Sequence, residues 1–475
     1  MIKSFNQTKI VCTVGPAIEE KKRMQQIIES GMDVMRFNFS HSTHAEHLIR
    51  LNTLRELNQE LGTHVAALVD TKGPEIRTHT FEGGEAAFKV GQKVIIHMDE
   101  IVGNSERFSV TYPALIEDVQ LGGIIVVDDG YLSLQVLAID PVTKTIETIS
   151  QNTHKIRDRR GVNVPGMELN LAYISEKDES DIKWACTNHV DFLAASFVRR
   201  ADDVITLKNL LKKYGGESIK IIAKIENQEG VTNIDAIIDE ADGVMIARGD
   251  LGVEVRPEEV PVIQKMIIRK AHALNKLSIT ATQMLESMQE HPKPTRAEVS
   301  DVANAILDGS DAIMLSGESA IGKYPVETVQ MMAHIAARLE REIKREEFIV
   351  RDHSDAGSIP INIATSVAYA VLQGQADLVI TPTITGNTAR LISQNRPNTV
   401  ILALTKDPQI ARSLMLSHGV YPMVYEIGTD TEKLIKESVE MVKKEGFIKP
   451  GGRVIVTGGF PLGSTTNSLR IIDVT

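Results

Sequence analysis

The sequence predicts an α/β protein built on a closed (β/α)8 TIM barrel, with an inserted all-β lid domain and a C-terminal open α/β domain. Three observations carry this. Eight short apolar strands alternate with amphipathic helical stretches. A β-rich interruption separates the third strand from the fourth. After the eighth, a charged helix and a polar stretch lead into a second series of strands and helices. An open doubly wound sheet is the competing architecture, but it more often stops at five or six strands.

The barrel strands read, in order, "KIVCTV", "DVMRFNF", "VAALVDT", "DFLAASF", "IKIIAKIE", "GVMIAR", "SITATQM" and "DAIMLSG". Between them lie helical stretches such as "EEKKRMQQIIES", "ADDVITLKNLLKKYGG" and "PEEVPVIQKMIIRKAHALNK". The interruption, 74–168, holds "AAFKVGQKVIIHM", "ERFSVTY" and "GGIIVVDDGYLSLQVLAI", with glycine and polar turns and no convincing helix. It leaves from the C-terminal end of the third strand, where a small domain can close over a site. The barrel therefore takes 1–73 and 169–344. A long helix from "YPVETVQ" ends it, "RDHSDAGS" reads as a linker, and 345–475 carries strands near "ADLVITPT", "TVILALT", "VYPMVY" and "GGRVIVTGG".

The chain has 475 residues and a net charge of −11 spread along its length, which gives no broad basic face for nucleic acid or acidic membranes. Cys12 and Cys186 are the two cysteines, far apart and outside any paired metal spacing, which points to a reducing cytoplasm. No run approaches the length that spans a bilayer.

Reactive groups in such barrels collect at the C-terminal ends of the strands. Here those ends carry Arg36, Asn38 and Ser40; Asp70, Thr71 and Lys72; Ser196 and Phe197; Lys224 and Glu226; Asp250 in "ARGD"; Thr282; and the "SGES" that begins at Ser316. Lys224 and Glu226 stand two apart on a strand, so both point to one side. Glu226 and Asp250 lie one βα unit apart, and two adjacent carboxylates with no partner would each tend to hold a proton. A Mg²⁺ ion, which takes oxygen ligands, resolves that repulsion; a Lys224–Glu226 salt bridge beside a helix-capping Asp250 is the plainer alternative. Gly249 permits close backbone approach, and Arg36 and Arg77 sit beside strand ends where a planar fork meets phosphate oxygens. Asn38, Ser40, Asp70 and Thr71 offer several oxygens and one formal charge, which suits a monovalent cation and equally a polar network. His41, His44 and His47 recur every three residues, which fans them around a helix and reads as a solvated helix start. The segment "TITGNT" follows a strand and opens a helix, a usual place for a phosphate.

The blocks "RFNFSH", "DTKGPEIRT", "SEKD", "KIENQEG", "ARGDLGVEV", "ATQMLESM", "PTRAEVSDVANAILDGSDAIMLSGESA" and "GKYP" resemble, in order, those of the pyruvate kinases. The resemblance implies phosphoryl transfer from phosphoenolpyruvate to ADP, giving pyruvate and ATP in the final step of glycolysis. It implies Mg²⁺, with Mn²⁺ as an alternative, on Glu226 and Asp250, and K⁺ on Asn38, Ser40, Asp70 and Thr71. Lys224 would stabilise the phosphoryl group in flight and the enolate. Arg36 would steady phosphate. Gly249, Asp250 and Thr282 would bound the substrate, and Thr282 or Ser316 would relay a proton through water. The nucleotide would meet Asn38, Phe39, Ser40, His41, Arg77 and Lys177. Glu75 matches potassium-dependent members. Thr383, Thr385, Gly386, Asn387 and Thr388 would hold a phosphorylated effector. The short loop "TGGFPLGSTTN" lacks the Trp and Arg some members use for a sugar bisphosphate, which favours a sugar monophosphate or AMP. Ser319 stands where many members carry Thr. The phosphohistidine-type extension of some bacterial members has no room here, and the family is usually homotetrameric. Two rival readings are a metal-dependent aldolase or lyase of 2-oxo acids, and a metabolite-sensing binding protein that kept the fold.

Overall fold

In the computed structural model, residues 6–343, 358–426, 428 and 430–474 are described. The expected division at 344/345, and 351–357 of the expected linker, lie outside them.

All eight expected strands close into one parallel barrel: Lys9–Thr13, Val34–Asn38, Ala66–Asp70, Phe192–Ala195, Lys220–Ile225, Gly243–Ala247, Leu277–Ala281 and Ala312–Leu315. Each is buried nearly throughout, between helices outside and packed side chains inside, as a parallel sheet requires. Local signals start the helices. Thr43 and Glu46 form a reciprocal capping box before His44–Leu61, and Ser175 and Asp178 do so before Glu176–Thr187.

The inserted segment forms a seven-stranded sheet and a two-stranded one. It also contains a helical turn, Leu115–Asp118, that the sequence reading did not find. Four residues are too few to show a helical period. That turn has a structural task. Asp118 accepts from Tyr112 Oη at 2.8 Å and from Asn170 Nδ2 at 2.7 Å, tying the lid to the segment that returns to the barrel. Arg199 grips the same segment from the barrel side, donating to the carbonyls of Leu169 and Leu171 at 2.8 Å each.

The C-terminal sheet is five-stranded, ordered Val420–Val424, Ile401–Thr405, Leu378–Pro382, Arg453–Gly458, Ser468–Asp473. The last strand runs antiparallel at the edge and was not among the four expected, because its half-exposed residues form no apolar run. This domain closes the floor of the barrel. Met415 and Leu416 pack into the same buried cluster as Val11, Phe192, Ile222, Met245 and Ile279 of the strands. Two ion pairs to buried carboxylates fix the joint: Arg396 to Asp311 and Arg412 to Asp191, both 2.9 Å.

Candidate active site

The open, C-terminal end of the barrel gathers the expected residues. Lys224, next to last in its strand, places Nζ 2.7 Å from Glu226 Oε1, 3.2 Å from Asp70 Oδ1 and 2.7 Å from Ser196 Oγ. Arg36 closes the group, with Nε 2.6 Å from Asp70 Oδ2 and Nη1 2.9 Å from Thr13 Oγ1. All these side chains are buried. Two cations and two carboxylates thus share one dry corner, while the second oxygen of Glu226 accepts from the Phe197 N–H at 2.6 Å.

Charge balance decides which groups ionise. Burial opposes the charge on Lys224, but Asp70 and Glu226 outweigh it and hold the ammonium firmly protonated. Burial also opposes the charge on Asp70, and there Arg36 and Lys224 win, lowering its range. Glu226 goes the other way: burial, with Asp250 beside it, pushes it up to about 7 despite Lys224. Asp250 is raised as well, chiefly by burial, and its carboxyl hydrogen-bonds Glu226. Below about pH 7 Glu226 therefore keeps its proton beside Asp250 when no cation lies between them. Among the described residues no group of three or more His, Cys, Asp or Glu side chains is arranged to hold a metal. A pair of repelling carboxylates is the donor set for an ion that keeps water and substrate oxygens as its other ligands, and this fits Mg²⁺.

Asp250 does not cap a helix as the plainer sequence reading allowed. It lies inside the helix Arg248–Glu254, whose N-cap, Ala247, has no side-chain cap bond. The Gly249 N–H donates to Thr282 Oγ1 at 2.8 Å. A Cβ on Gly249 would meet only that threonine, at 3.5 Å, so glycine here leaves open space rather than relieving a clash. Thr282 and Gln283 take left-handed backbone angles, φ 68° and 54°, which a β-branched residue rarely adopts. Ser316 is held by its N–H on Glu318 Oε2 at 2.7 Å, and the neighbouring Ser319 hydroxyl donates to the Thr13 carbonyl at 2.9 Å.

Asn38, Ser40, Asp70 and Thr71 adjoin across the second and third strands, where Asn38 pairs with Asp70 in register. Several of their oxygens are engaged: Asn38 Oδ1 accepts from Ser40 N–H at 3.1 Å, and Ser196 donates to both Thr71 Oγ1 and the Thr71 carbonyl. Over this rim hangs the lid. A cleft of about 240 Å³ between lid and barrel is lined by Pro74, Asp129, Met167, Phe197, Asn227 and Asp250, among others. Arg77 pairs with Glu75 at 2.6 Å and donates to the Arg159 carbonyl at 2.7 Å, while Lys177 pairs with Asp181 at 2.8 Å.

Comparison with known proteins decides the family. Residues 5–329 match the family model described as "Pyruvate kinase, barrel domain", and 362–472 match "Pyruvate kinase, alpha/beta domain". The chain belongs to the pyruvate kinase family. It is 47% identical to the pyruvate kinase of Geobacillus stearothermophilus over 98% of this chain and 80% of that one. It is 46% identical to that of Bacillus licheniformis over 99% and 81%. The crystal structure of a pyruvate kinase from Cryptosporidium parvum superposes with a TM-score of 0.94 at 39% identity, covering 99% of this chain and 96% of that one. Membership makes the chain a phosphotransferase and removes the aldolase and binding-protein readings.

In a pyruvate kinase barrel the residues that sequence reasoning overlooked gain meaning. Ser196 had been noted only as a strand end, yet its hydroxyl is shared by Lys224 and Asp70. Asp129, on the lid, lines the cleft with Asp250 and adds to the charge that raises it. The histidine reading is corrected at His47, while His41 is exposed and His44 partly so. His47 is buried, stacked on Phe39 with ring centroids 4.3 Å apart, and His44 bonds Asp181 at 2.6 Å. Partners from other segments, which no local spacing reveals, cover what the helix alone would expose. In the C-terminal domain, Gly386 sits at φ 79°, which favours glycine, and its N–H donates to Thr383 Oγ1 at 2.9 Å at the start of the helix Asn387–Gln394. Thr388 Oγ1 meets Thr466 Oγ1 at 2.7 Å, and Arg390 donates to the Thr385 carbonyl at 2.7 Å.

Proposed function

We propose that this chain transfers the phosphoryl group of phosphoenolpyruvate to ADP, using Lys224 as the central cation and Glu226 with Asp250 as the Mg²⁺ ligands. The observation that carries the reading is the placement of the Lys224 ammonium, buried between Glu226 and Asp70 and beside Ser196. A fixed positive charge at that point stabilises the negative charge that spreads over the phosphoryl oxygens and then over the enolate. Bound Mg²⁺, or Mn²⁺ in its place, supplies Lewis-acid polarisation of substrate oxygens. Arg36 steadies the phosphate, held at its base by Asp70 and Thr13.

Gly249, Asp250 and Thr282 bound the substrate, and the Thr282 or Ser316 hydroxyl relays a proton to the enolate carbon through water. The nucleotide lies along Asn38, Phe39, Ser40, His41, Arg77 and Lys177, and lid closure keeps water from the phosphoryl group. K⁺ is assigned to Asn38, Ser40, Asp70 and Thr71, with Glu75 as the potassium-dependent signature. The loop 383–388 takes a sugar phosphate or AMP as activator. The domain division, the cytoplasmic setting and the homotetramer belong to the same proposal. Among the described residues no helix is long and apolar enough to cross a membrane.

The test is a lactate dehydrogenase-coupled assay with phosphoenolpyruvate and ADP, with Mg²⁺, with and without K⁺, then with sugar phosphates and AMP. Pyruvate formation that needs both substrates and the divalent ion is expected; none under any of these conditions overturns the reading.

A further inference from the structure

The lysine assigned to the nucleotide is not at liberty. Lys177 Nζ lies 2.8 Å from one oxygen of Asp181, and His44 Nε2 lies 2.6 Å from the other. The Asp181 side chain is only 1% exposed, whereas Lys177 and His44 are 47% and 40% exposed. One buried carboxylate thus serves two surface-reaching bases. If Lys177 turns toward a nucleotide phosphate it leaves Asp181, and a buried carboxylate deprived of its cation is costly. A neutral imidazole offers that carboxylate one N–H but no charge; a protonated imidazole offers both.

Lys177 already neutralises Asp181. His44 is the first residue of the helix His44–Leu61. The charged and titratable groups around it are Asp181 and Lys177 from the helix Glu176–Thr187, and His47 on its own helix with Arg50 beyond. Glu46 is occupied by the capping box with Thr43. Phe39 and Trp184 flank the ring, with centroids 5.6 and 6.0 Å away.

We propose that ADP binding is proton-coupled at His44: as Lys177 leaves Asp181 for phosphate, the imidazole takes a proton from solvent and replaces the lysine charge on the buried carboxylate. The inference rests on the assignment of Lys177 to the nucleotide and adds His44 and Asp181 as positioning residues. Its sign is fixed. The nucleotide-bound state favours the protonated ring, so ADP affinity falls as pH rises through the imidazole range.

Titration calorimetry of ADP binding with Mg²⁺, in two buffers of different ionisation enthalpy, counts the protons. At about pH 7.5, above the usual imidazole value, the native chain is expected to take up a sizeable fraction of a proton more than His44→Gln. In that variant the KM for ADP rises about tenfold, the scale of leaving one buried charge with a neutral partner, while kcat changes far less. Asp181→Asn removes the anion and loses the extra uptake too. Equal proton counts in the native and His44→Gln chains overturn the coupling. Lys177→Met separates the two levels of the argument. A raised KM for ADP beside equal counts overturns the coupling alone, whereas a native KM in that variant overturns the nucleotide assignment together with it.

Discussion

The Arg248 guanidinium grips both oxygens of Asp301, at 2.6 and 2.7 Å, and with the same fork donates to the Thr282 carbonyl at 2.8 Å. Arg248 opens the segment that carries Gly249 and Asp250, and Thr282 is one of two consecutive residues held left-handed. The pair therefore fixes the spacing between two neighbouring strand ends without itself lining the cleft. Asp301→Ala is expected to lower kcat/KM for phosphoenolpyruvate about 100-fold, the scale of a displacement of roughly 1 Å at a reacting centre. Arg248→Lys, which keeps the charge but loses the two-pronged contact, falls in between. Steady-state kinetics on both variants, with thermal unfolding as a control, check this.

Under the proposed Mg²⁺ assignment, the raised Glu226 carboxyl makes metal activation depend on pH. Glu226 is raised to about 7, so it holds its proton below that value and releases it above. A metal has to displace the proton. The Mg²⁺ concentration for half-activation is expected to rise about tenfold per pH unit as pH falls below 7, and to level off above. Stability of the metal-free chain carries the opposite sign. This carboxyl favours folding below its unfolded value near 4.5, and the contribution fades as pH rises toward 7. Glu226→Gln, with one carboxylate gone, is expected to lose about 10³ in kcat. A native Mg²⁺ curve in that variant would remove Glu226 from the metal site.

Much of this was legible from residue order, and the parts that were not share a cause. Buried strands announce themselves as apolar runs, and a lysine two residues before a glutamate on a strand must share its face, so Lys224 and Glu226 were found. Asp301 could not be. It sits on the helix Arg296–Leu307, whose period marks only which face is apolar, and its partner is 53 residues away. Ser196 reads in the sequence only as a strand end, because a serine there is common, and only the third dimension places Lys224 on its hydroxyl. His47 was misplaced because Phe39 and His41 cover it from the loop that follows the preceding strand. Local pattern reveals which way a side chain points, not what comes to meet it.

His47 gives an acid-sensitive element near the proposed nucleotide site. Burial, only partly offset by its bond to the His41 carbonyl, pulls it down to about 4 from the usual 6.5. Its folded value lies below its unfolded one, so the unfolded chain binds the extra proton between those limits. Stability is then lost as pH falls from about 6.5 to 4, by on the order of 3 kcal/mol from this group. His47→Gln keeps a donor for the carbonyl and removes the titration. Its unfolding free energy is expected to change less steeply with pH across that window than the native chain's, measured by urea titration.

Glu75 pairs with Arg77 at 2.6 Å and lies within 3.9 Å of Lys72, a half-buried carboxylate among cations at the base of the lid. Under the potassium assignment, Glu75→Lys puts a tethered cation where the mobile one is required. Activity of the native chain is expected to fall at least tenfold when K⁺ is replaced by a large organic cation, and the variant is expected to lose most of that dependence. Identical K⁺ curves for the two would break the link between Glu75 and the ion.

The floor of the barrel offers a test of how firmly the C-terminal domain is joined to the catalytic one. Asp311 is almost wholly buried, accepts from the Ser278 N–H at 2.9 Å, and meets Arg396, itself buried, across the domain boundary. Burial raises the Asp311 range while Arg396 pulls it back, so the carboxylate depends on its partner. Arg396→Met should strand that charge and cost about 3–5 kcal/mol, whereas removing both charges with Asp311→Asn should restore most of the loss. Trp184 is the single tryptophan of the chain and lies on a barrel helix, so its fluorescence during urea unfolding follows the barrel specifically. A single variant that unfolds at the native urea midpoint would mean the pair is dispensable to the joint. A double variant no better than the single would mean Arg396 acts through its contact with the Gly309 carbonyl, 2.6 Å away, instead of through Asp311.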